Sequence, residues 1–142
     1  MRPLEEQRIR CHGDYHLGQT LVADGDVVIL DFEGEPARPI AERREKSSPL
    51  RDVAGMLRSF AYAAQVSGRG ASWEESVATA FLDGYRAAAD HAEFLPDDAG
   101  FATLLEAFVL DKTLYELGYE LNNRPDWVAL PLAALARVRT PV

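Results

Sequence analysis

The residues with the clearest chemical potential lie in one polar segment near the start of the 142-residue chain, His12-Gly13-Asp14-Tyr15-His16-Leu17-Gly18-Gln19. A second segment, Asp31-Phe32-Glu33, follows it closely. Phosphoryl transfer needs an acidic residue beside the attacking hydroxyl, an amide oxygen on a metal ion, and a carboxylate on the metals that hold the nucleotide phosphates. Asp14, Gln19 and Asp31 supply these groups in this order, so the spacing indicates phosphoryl-transfer chemistry.

A β hairpin is predicted to bring the two segments together. Asp24-Gly25-Asp26 separates two short apolar runs, and an Asp-Gly pair in that setting is a strong hairpin signal. The hairpin would return Asp31 to the side of Gln19, as a shared metal ion requires. The second apolar run, Val27 to Leu30, is continuous rather than alternating, which predicts that both faces of this strand are covered.

The chain beyond the hairpin is predicted to be helical. A polar loop over Gly34–Ser48 ends at Pro49, which is placed as the first-turn proline of a long helix. Ser72 and Glu75 form a capping box that predicts the start of a second helix. A third helix is expected over residues 101–122, and a short one follows it. The predicted fold class is therefore α+β and mostly α, a small β hairpin followed by a helical bundle.

One face of the third helix combines aromatic and charged side chains. Its residues recur at intervals of three and four: Phe101, Leu105, Phe108, Lys112, Tyr115 and Tyr119. With Glu116, the second half of this stripe predicts a wet cleft in which aromatic faces hold a sugar ring and polar groups hold its hydroxyls. An ordinary core helix with partly exposed ends is the alternative. His16 is predicted to face either a substrate or solvent.

Composition narrows the classes of function. The chain has a formal net charge of −8, with 47% hydrophobic and 27% charged residues, which is typical of one acidic globular domain. The acidic balance argues against a nucleic-acid partner, and no apolar run is long enough for a membrane span. The single cysteine, Cys11, cannot form an internal disulfide, which favours a reducing cytoplasm.

The order of the motifs resembles that of kinases. Protein kinases carry His-x-Asp, an Asn five residues later and Asp-Phe-Gly, whereas this chain has Gln19 and Glu33 in place of the Asn and the Gly. These differences are closer to small-molecule kinases of the aminoglycoside-phosphotransferase type. Within that group, four segments resemble the bacterial maltokinase family, including modules fused to trehalose synthase: HGDYHLGQ, DFEGEPARP, AERREKSSPLRDVAGMLRSF and LDKTLYELGYELNNRP.

This resemblance implies an enzyme that uses ATP and Mg²⁺ to phosphorylate maltose to maltose 1-phosphate for glycogen synthesis. Asp14 would be the catalytic base, Gln19 and Asp31 would bind Mg²⁺, and Glu33 would lie near the metal or remain an exposed loop carboxylate. Substrate-binding residues would be His16, Lys112, Tyr115, Glu116 and Tyr119. His12 and Asp52 would support the catalytic loop, although Asp52 also suits the first turn of a helix.

The resemblance also implies a C-terminal lobe of a protein-kinase-like fold over residues 1–142. Residues 1–48 would carry the catalytic loop and the metal-binding hairpin, and residues 49–142 the helical part. Only eleven residues precede His12, too few for the Gly-rich loop and strand lysine that clamp ATP. The N-terminal lobe is therefore expected to be absent from this chain, and the isolated chain to be incomplete and inactive.

Three alternatives stay open. The chain could be a catalytically inactive sugar-binding module, or a lobe that serves a kinase of another small alcohol. It could also be a metal hydrolase with His12, Asp14 and His16 as ligands. A typical zinc site with several histidine ligands would then lack ligands, because His91 is the only other histidine in the sequence.

Overall fold

A computed structural model describes residues 7–90 and 92–138, and it is mostly helical with one small antiparallel sheet. Two strands precede five helices in the chain: β1 Thr20–Ala23, β2 Asp26–Ile29, α1 Ile40–Arg43, α2 Leu50–Ser67, α3 Gly70–Ala88, α4 Asp98–Asn123 and α5 Ala129–Ala136. Single 3-10 turns lie at Leu17–Gln19 and Pro125–Trp127. Within the described ranges, no helix is both long and apolar enough to cross a bilayer.

The hairpin forms at the predicted place. Strands β1 and β2 pair from Thr20 opposite Ile29 to Ala23 opposite Asp26. The two turn residues, Asp24 and Gly25, have φ values of +53° and +82°, the left-handed conformation that matches a two-residue turn to the twist of the strands. This turn fixes the register that returns the chain toward Gln19.

The expectation that β2 is covered on both faces is wrong for the described chain. Val27 and Val28 are 56% and 46% exposed, and Leu30 just beyond the strand is 39% exposed. The sheet has only two strands. In the described ranges, no other element is packed over either face of the hairpin closely enough to bury these side chains. The continuous apolar run therefore lies at the surface.

The core lies among α2, α3 and α4. Leu50 and Val53 of α2 are buried against Phe101 of α4, and side chains of α3 pack around this cluster. Burial of each such aliphatic side chain contributes about 1.5–3 kcal/mol. Pro49 stands at the N-terminus of α2 as predicted, and Gly68, with φ of +68°, ends the helix. Helix α2 is thus held on two sides and forms a fixed platform.

The predicted capping box of the second helix is wrong. Helix α3 begins at Gly70, so Ser72 lies inside its first turn and Arg69 occupies the N-cap. Since α2 ends at Ser67, only two residues separate the helices, and the chain re-enters helical geometry before Ser72 can serve as a cap.

Helix α4 begins a few residues earlier than predicted. The Asp97 carboxylate accepts a hydrogen bond from the Gly100 amide at 2.8 Å and supplies the N-cap of the helix. The predicted stripe divides as expected along this helix. Phe101 is buried in the core, whereas Tyr115 and Tyr119 are 39% and 46% exposed. The second half of α4 passes the segment that contains Asp14.

Candidate active site

The segment that contains Asp14 is attached to the platform helix α2. Asp52 accepts hydrogen bonds from the backbone amides of His12 at 2.6 Å and Gly13 at 2.9 Å. Gly55 lies so close to the segment that a Cβ atom there would be 2.7 Å from the Tyr15 carbonyl oxygen. The Asp52 carboxylate and the absence of a side chain at Gly55 together let the loop pack directly against α2.

The His12 side chain joins this loop to the hairpin. Its Nε2 lies 2.6 Å from the Leu30 carbonyl oxygen, and its Nδ1 accepts the Asp14 amide at 3.2 Å. With Nδ1 as the acceptor, Nε2 is the nitrogen that donates to the Leu30 carbonyl. The ring is buried against Tyr15 and Phe32. Both nitrogens are occupied, which leaves His12 as a link in the scaffold rather than a proton carrier.

Asp14 lies between two groups that carry or can carry positive charge. Its Oδ2 is 3.7 Å from His16 Nε2, and its Oδ1 is 3.9 Å from Lys112 Nζ. The His16 imidazole lowers the pKa of the Asp14 carboxyl, partial burial opposes this, and Lys112 lowers the pKa further. His16 Nδ1 accepts the Gly18 amide at 3.0 Å, so its Nε2–H faces Asp14. Asp14 is therefore ionised at neutral pH.

Gln19 and Asp31 meet at the base of the hairpin. Gln19 Nε2 donates to Asp31 Oδ2 at 3.2 Å, and the Leu30 amide donates to the Gln19 carbonyl at 2.8 Å. Rotating the Gln19 amide would place its oxygen where the nitrogen now lies, so the pair offers two oxygen ligands to one cation. Asp31 has a φ of +58°, an uncommon conformation for a residue with a side chain.

The chemistry of this pair suits Mg²⁺. Magnesium binds through one or two protein oxygens and keeps water in its other positions. Glu33 is exposed in the loop after β2. Among the residues described, no group of three or more His, Cys, Asp or Glu side chains could hold a metal ion, which does not favour the metal-hydrolase alternative. His91 lies outside the described residues.

Glu35 also lies in this region, although the sequence analysis did not select it. It is only 5% exposed, and its carboxylate accepts hydrogen bonds from Lys112 Nζ at 2.6 Å and Arg38 Nε at 2.8 Å. Arg51 lies 3.8 Å away. Burial would raise the pKa of Glu35, but the bonds from Lys112 and Arg38 outweigh it and lower the pKa. The only sequence signal is its place in DFEGEPARP.

A cavity of about 280 Å³ lies beside Asp14, between α2 and the second half of α4. The five residues predicted to bind substrate all line it: His16, Lys112, Tyr115, Glu116 and Tyr119. Ser59, Tyr62, Glu120 and Arg124 complete the wall. The structure thus gathers the aromatic and charged side chains of the α4 stripe around one concave space next to the carboxylate.

Buried charges stiffen the wall of this cavity. Arg58 Nε donates to Glu116 Oε2 at 2.9 Å, and burial raises the pKa of Glu116 despite that bond. Glu120 accepts from Tyr62 at 3.0 Å and from Arg124 at 2.6 and 2.9 Å. The sequence predicted only Glu116 of this set, because bonds between α2 and α4 are set by how the helices pack.

A larger open groove of about 760 Å³ lies on another side of α2, where α3 begins and α5 passes. Among the residues described, its walls come from α2, α3 and the region of Trp127 to Arg137, and include none of the predicted site residues. The predicted substrate-binding residues therefore line the smaller cavity and not this groove.

No family model matches the chain, but individual proteins do. It is 36% identical over 134 residues to a glucosamine kinase of Mycolicibacterium smegmatis, covering 87% of this chain and 33% of that protein. It is 30% identical over 132 residues to a glucosamine kinase of Streptacidiphilus jiangxiensis, covering 87% of this chain and 30% of that protein. The chain spans about a third of the length of these curated relatives.

Solved structures agree with these relatives. A glucosamine kinase in complex with glucosamine, ADP and inorganic phosphate superposes with a TM-score of 0.77 at 30% identity, over 89% of this chain and 34% of that one. A second crystal form of glucosamine kinase gives a TM-score of 0.79 at 29% identity, over 92% and 34%. The chain is therefore homologous to sugar kinases, and the relatives found are glucosamine kinases. The maltokinase resemblance gains no specific support from them.

Proposed function

We propose that this chain provides the base, the metal ligands and the sugar pocket for ATP-dependent phosphorylation of a small sugar. The observation that carries the proposal is that Asp14 lies within 4 Å of His16 and Lys112, and both of these residues line the 280 Å³ cavity. His12 joins the same loop to the hairpin through the Leu30 carbonyl, next to the Gln19–Asp31 pair. The homology to glucosamine kinases supports the same chemistry.

In this mechanism Asp14 accepts a hydrogen bond from the attacking sugar hydroxyl and orients it. A carboxylate with a lowered pKa is a weak base, but phosphoryl transfer through a loose transition state gains most of its rate from positioning and charge neutralisation. Gln19 and Asp31 would hold Mg²⁺. The metal, when bound, would neutralise charge on the ATP phosphates.

Glucosamine is the first candidate for the acceptor sugar. Glu116 lines the cavity and would accept a hydrogen bond from the ammonium group of this sugar, and glucosamine is the sugar bound in a homologous kinase structure. Maltose is the second candidate. The motif resemblance favours it, and the exposed rings of Tyr115 and Tyr119 could hold a second sugar ring.

We also propose that the chain acts as the C-terminal lobe of a protein-kinase-like fold, with the ATP clamp supplied by further polypeptide. The relatives are about three times as long as the matched region. The proposed location is the cytoplasm, where ATP is present. A fused trehalose synthase would accompany only the maltose alternative.

The first test is sugar binding to the chain. Glucosamine and maltose are titrated by calorimetry with and without Mg²⁺-ADP, and we expect glucosamine to bind more tightly. Tyr119→Ala should weaken binding about tenfold by removing an aromatic face, whereas Val66→Ala, a change at an exposed residue outside the cavity, serves as control. Failure of the chain to bind either sugar would contradict the proposal.

The second test is phosphoryl transfer. The chain is assayed with ATP, Mg²⁺ and each sugar, alone and mixed with the part of the M. smegmatis enzyme that it does not cover. Asp14→Asn should lower the rate about 10²–10⁴-fold while sugar binding is kept. Binding without transfer in the mixture would favour the inactive-module alternative.

A further inference from the structure

Lys112 lies between two carboxylates but is bonded to only one. Its Nζ is 2.6 Å from Glu35 Oε1 and 3.9 Å from Asp14 Oδ1. The ammonium also lies 5.0 Å from the centre of the Tyr115 ring. A direct charge-assisted bond measures about 2.7–2.9 Å, so Lys112 is bound to Glu35 and stands roughly 1 Å short of a direct bond to Asp14.

Glu35 is held firmly in the position from which it binds Lys112. Arg38 binds its other oxygen, and Arg51 is near. Arg38 is itself fixed, because its carbonyl accepts a hydrogen bond from Arg43 Nε at 2.7 Å. These contacts anchor Glu35 to its own loop, to α1 and, through Arg51, to α2. The position of the Lys112 ammonium is therefore determined both by α4, which carries the residue, and by the loop that carries Glu35.

The space between the two carboxylates is small. A cavity of about 20 Å³ lies there, lined by Asp14, Glu35 and Lys112 among others, which is room for about one water molecule. The Lys112 side chain is 23% exposed and the Glu35 side chain 6% exposed. If Glu35 lost its charge, Asp14 would be the other carboxylate within 4 Å of the Lys112 ammonium.

We propose that Glu35 is a positioning residue that holds the Lys112 ammonium away from Asp14, so that the Asp14 carboxylate stays free to accept the sugar hydroxyl. This inference rests on the proposed function for the role of Asp14. A direct Lys112–Asp14 bond would occupy the oxygen that the hydroxyl needs. Lys112 then adds positive charge near the reacting oxygen without blocking the base.

A double-mutant cycle on the chain tests the proposal. Glu35→Gln should weaken sugar binding about tenfold, as expected when one hydrogen bond to a charged group is lost. Lys112→Met should have a smaller effect. In the Lys112→Met background, Glu35→Gln should have no further effect, because no ammonium remains to be held. Glu42→Gln, an exposed acid 3.9 Å from Arg38, is the matched control and should bind like the wild type.

A second measurement does not depend on sugar. The Asp14 carboxyl carbon is followed by NMR during a pH titration of each variant. The groups that face Asp14 are His12, His16 and Lys112. In Glu35→Gln, direct contact with Lys112 should lower the Asp14 titration midpoint beyond that of the wild type. The double variant should titrate like Lys112→Met alone.

The outcomes separate this inference from the proposed function. Additive losses of sugar binding in the double variant, or an unchanged Asp14 midpoint in Glu35→Gln, would overturn the role of Glu35. If wild-type chain binds no sugar, the proposed function fails and the NMR titration still decides the Lys112 geometry. Should Glu35→Gln not fold, Glu35→Asp tests the same point, with a shorter carboxylate that releases Lys112 in part.

Discussion

At the scale of single residues, the site consists of charges held at defined separations. Asp14 lies between His16 and Lys112 without a direct bond to Lys112, and the Gln19–Asp31 pair lies at the base of the hairpin. The sequence predicted these residue types because phosphoryl transfer restricts the choice of ligands and base. It did not predict Glu35, whose importance comes only from three cations that folding brings to it.

The Gln19–Asp31 pair predicts a specific metal response. Asp31→Asn should weaken Mg²⁺ binding to the chain about tenfold or more, since a carboxylate becomes a neutral amide. Titrations with Mg²⁺, monitored by the NMR chemical shifts of backbone amides, would measure this affinity. Asp26→Asn, on the same hairpin but at the turn end, is the control. Equal affinities in the two variants would argue against a metal site at Asp31.

The lowered pKa of Glu35 predicts how stability depends on pH. A carboxyl whose pKa is lower in the folded state than its ordinary value of 4.5 stabilises the fold above that value. The contribution is lost as the pH falls through the lowered folded pKa. The difference in unfolding free energy between wild type and Glu35→Gln should therefore shrink as the pH falls below about 4.5. Urea unfolding at several pH values measures it, and Glu42→Gln controls for the loss of one charge.

At the scale of elements, α2 is the platform on which the site is built. It binds the backbone amides of His12 and Gly13 through Asp52 and packs against both α3 and α4. The periodicity of the sequence predicted this helix and its proline start. It could not show that Gly55 contacts the loop, because the spacing of apolar residues records the buried face and not the neighbour that lies against it.

Gly55 gives a test of this platform. Gly55→Ala would place a Cβ 2.7 Å from the Tyr15 carbonyl oxygen, so the catalytic loop should shift and sugar binding should weaken, although alanine favours helices. Gly84→Ala in α3 meets no atom within 4 Å and should leave binding unchanged and stabilise the chain by about 1 kcal/mol. Calorimetry and thermal unfolding of both variants compare them. Equal sugar affinities and equal thermal stabilities of the two variants would show that the close approach of Gly55 to Tyr15 does not affect binding.

At the scale of the whole molecule, apolar side chains of the hairpin lie at the surface while the helices have a buried core. Val22 is 80% exposed, Phe32 is 57% exposed, and Leu50 in the core is 0% exposed. Apolar side chains are therefore exposed in the hairpin and buried in the helical part. Those of the helical part should contribute much more to the free energy of unfolding.

This contrast predicts the effects of two substitutions. Val22→Lys should change the free energy of unfolding by less than about 0.5 kcal/mol and raise solubility, because it adds charge to an exposed apolar edge. Leu50→Ala should cost about 2–5 kcal/mol through the cavity it leaves. Denaturant unfolding and solubility measurements check both. A large loss of stability in Val22→Lys would mean that the hairpin is buried in solution.

By itself, the sequence determined the local features of this protein: the hairpin turn, the helical regions and the stripe on α4. It also supplied the three residues proposed for phosphoryl transfer, Asp14, Gln19 and Asp31. Each of these depends on neighbouring residues or on a short repeat, so a linear pattern can record it. Only the tertiary structure decided that β2 is exposed, that α3 begins too early for Ser72 to cap it, and that Glu35 bonds Lys112. The Glu35–Lys112 contact joins residues far apart in the chain, and packing alone sets such a distance.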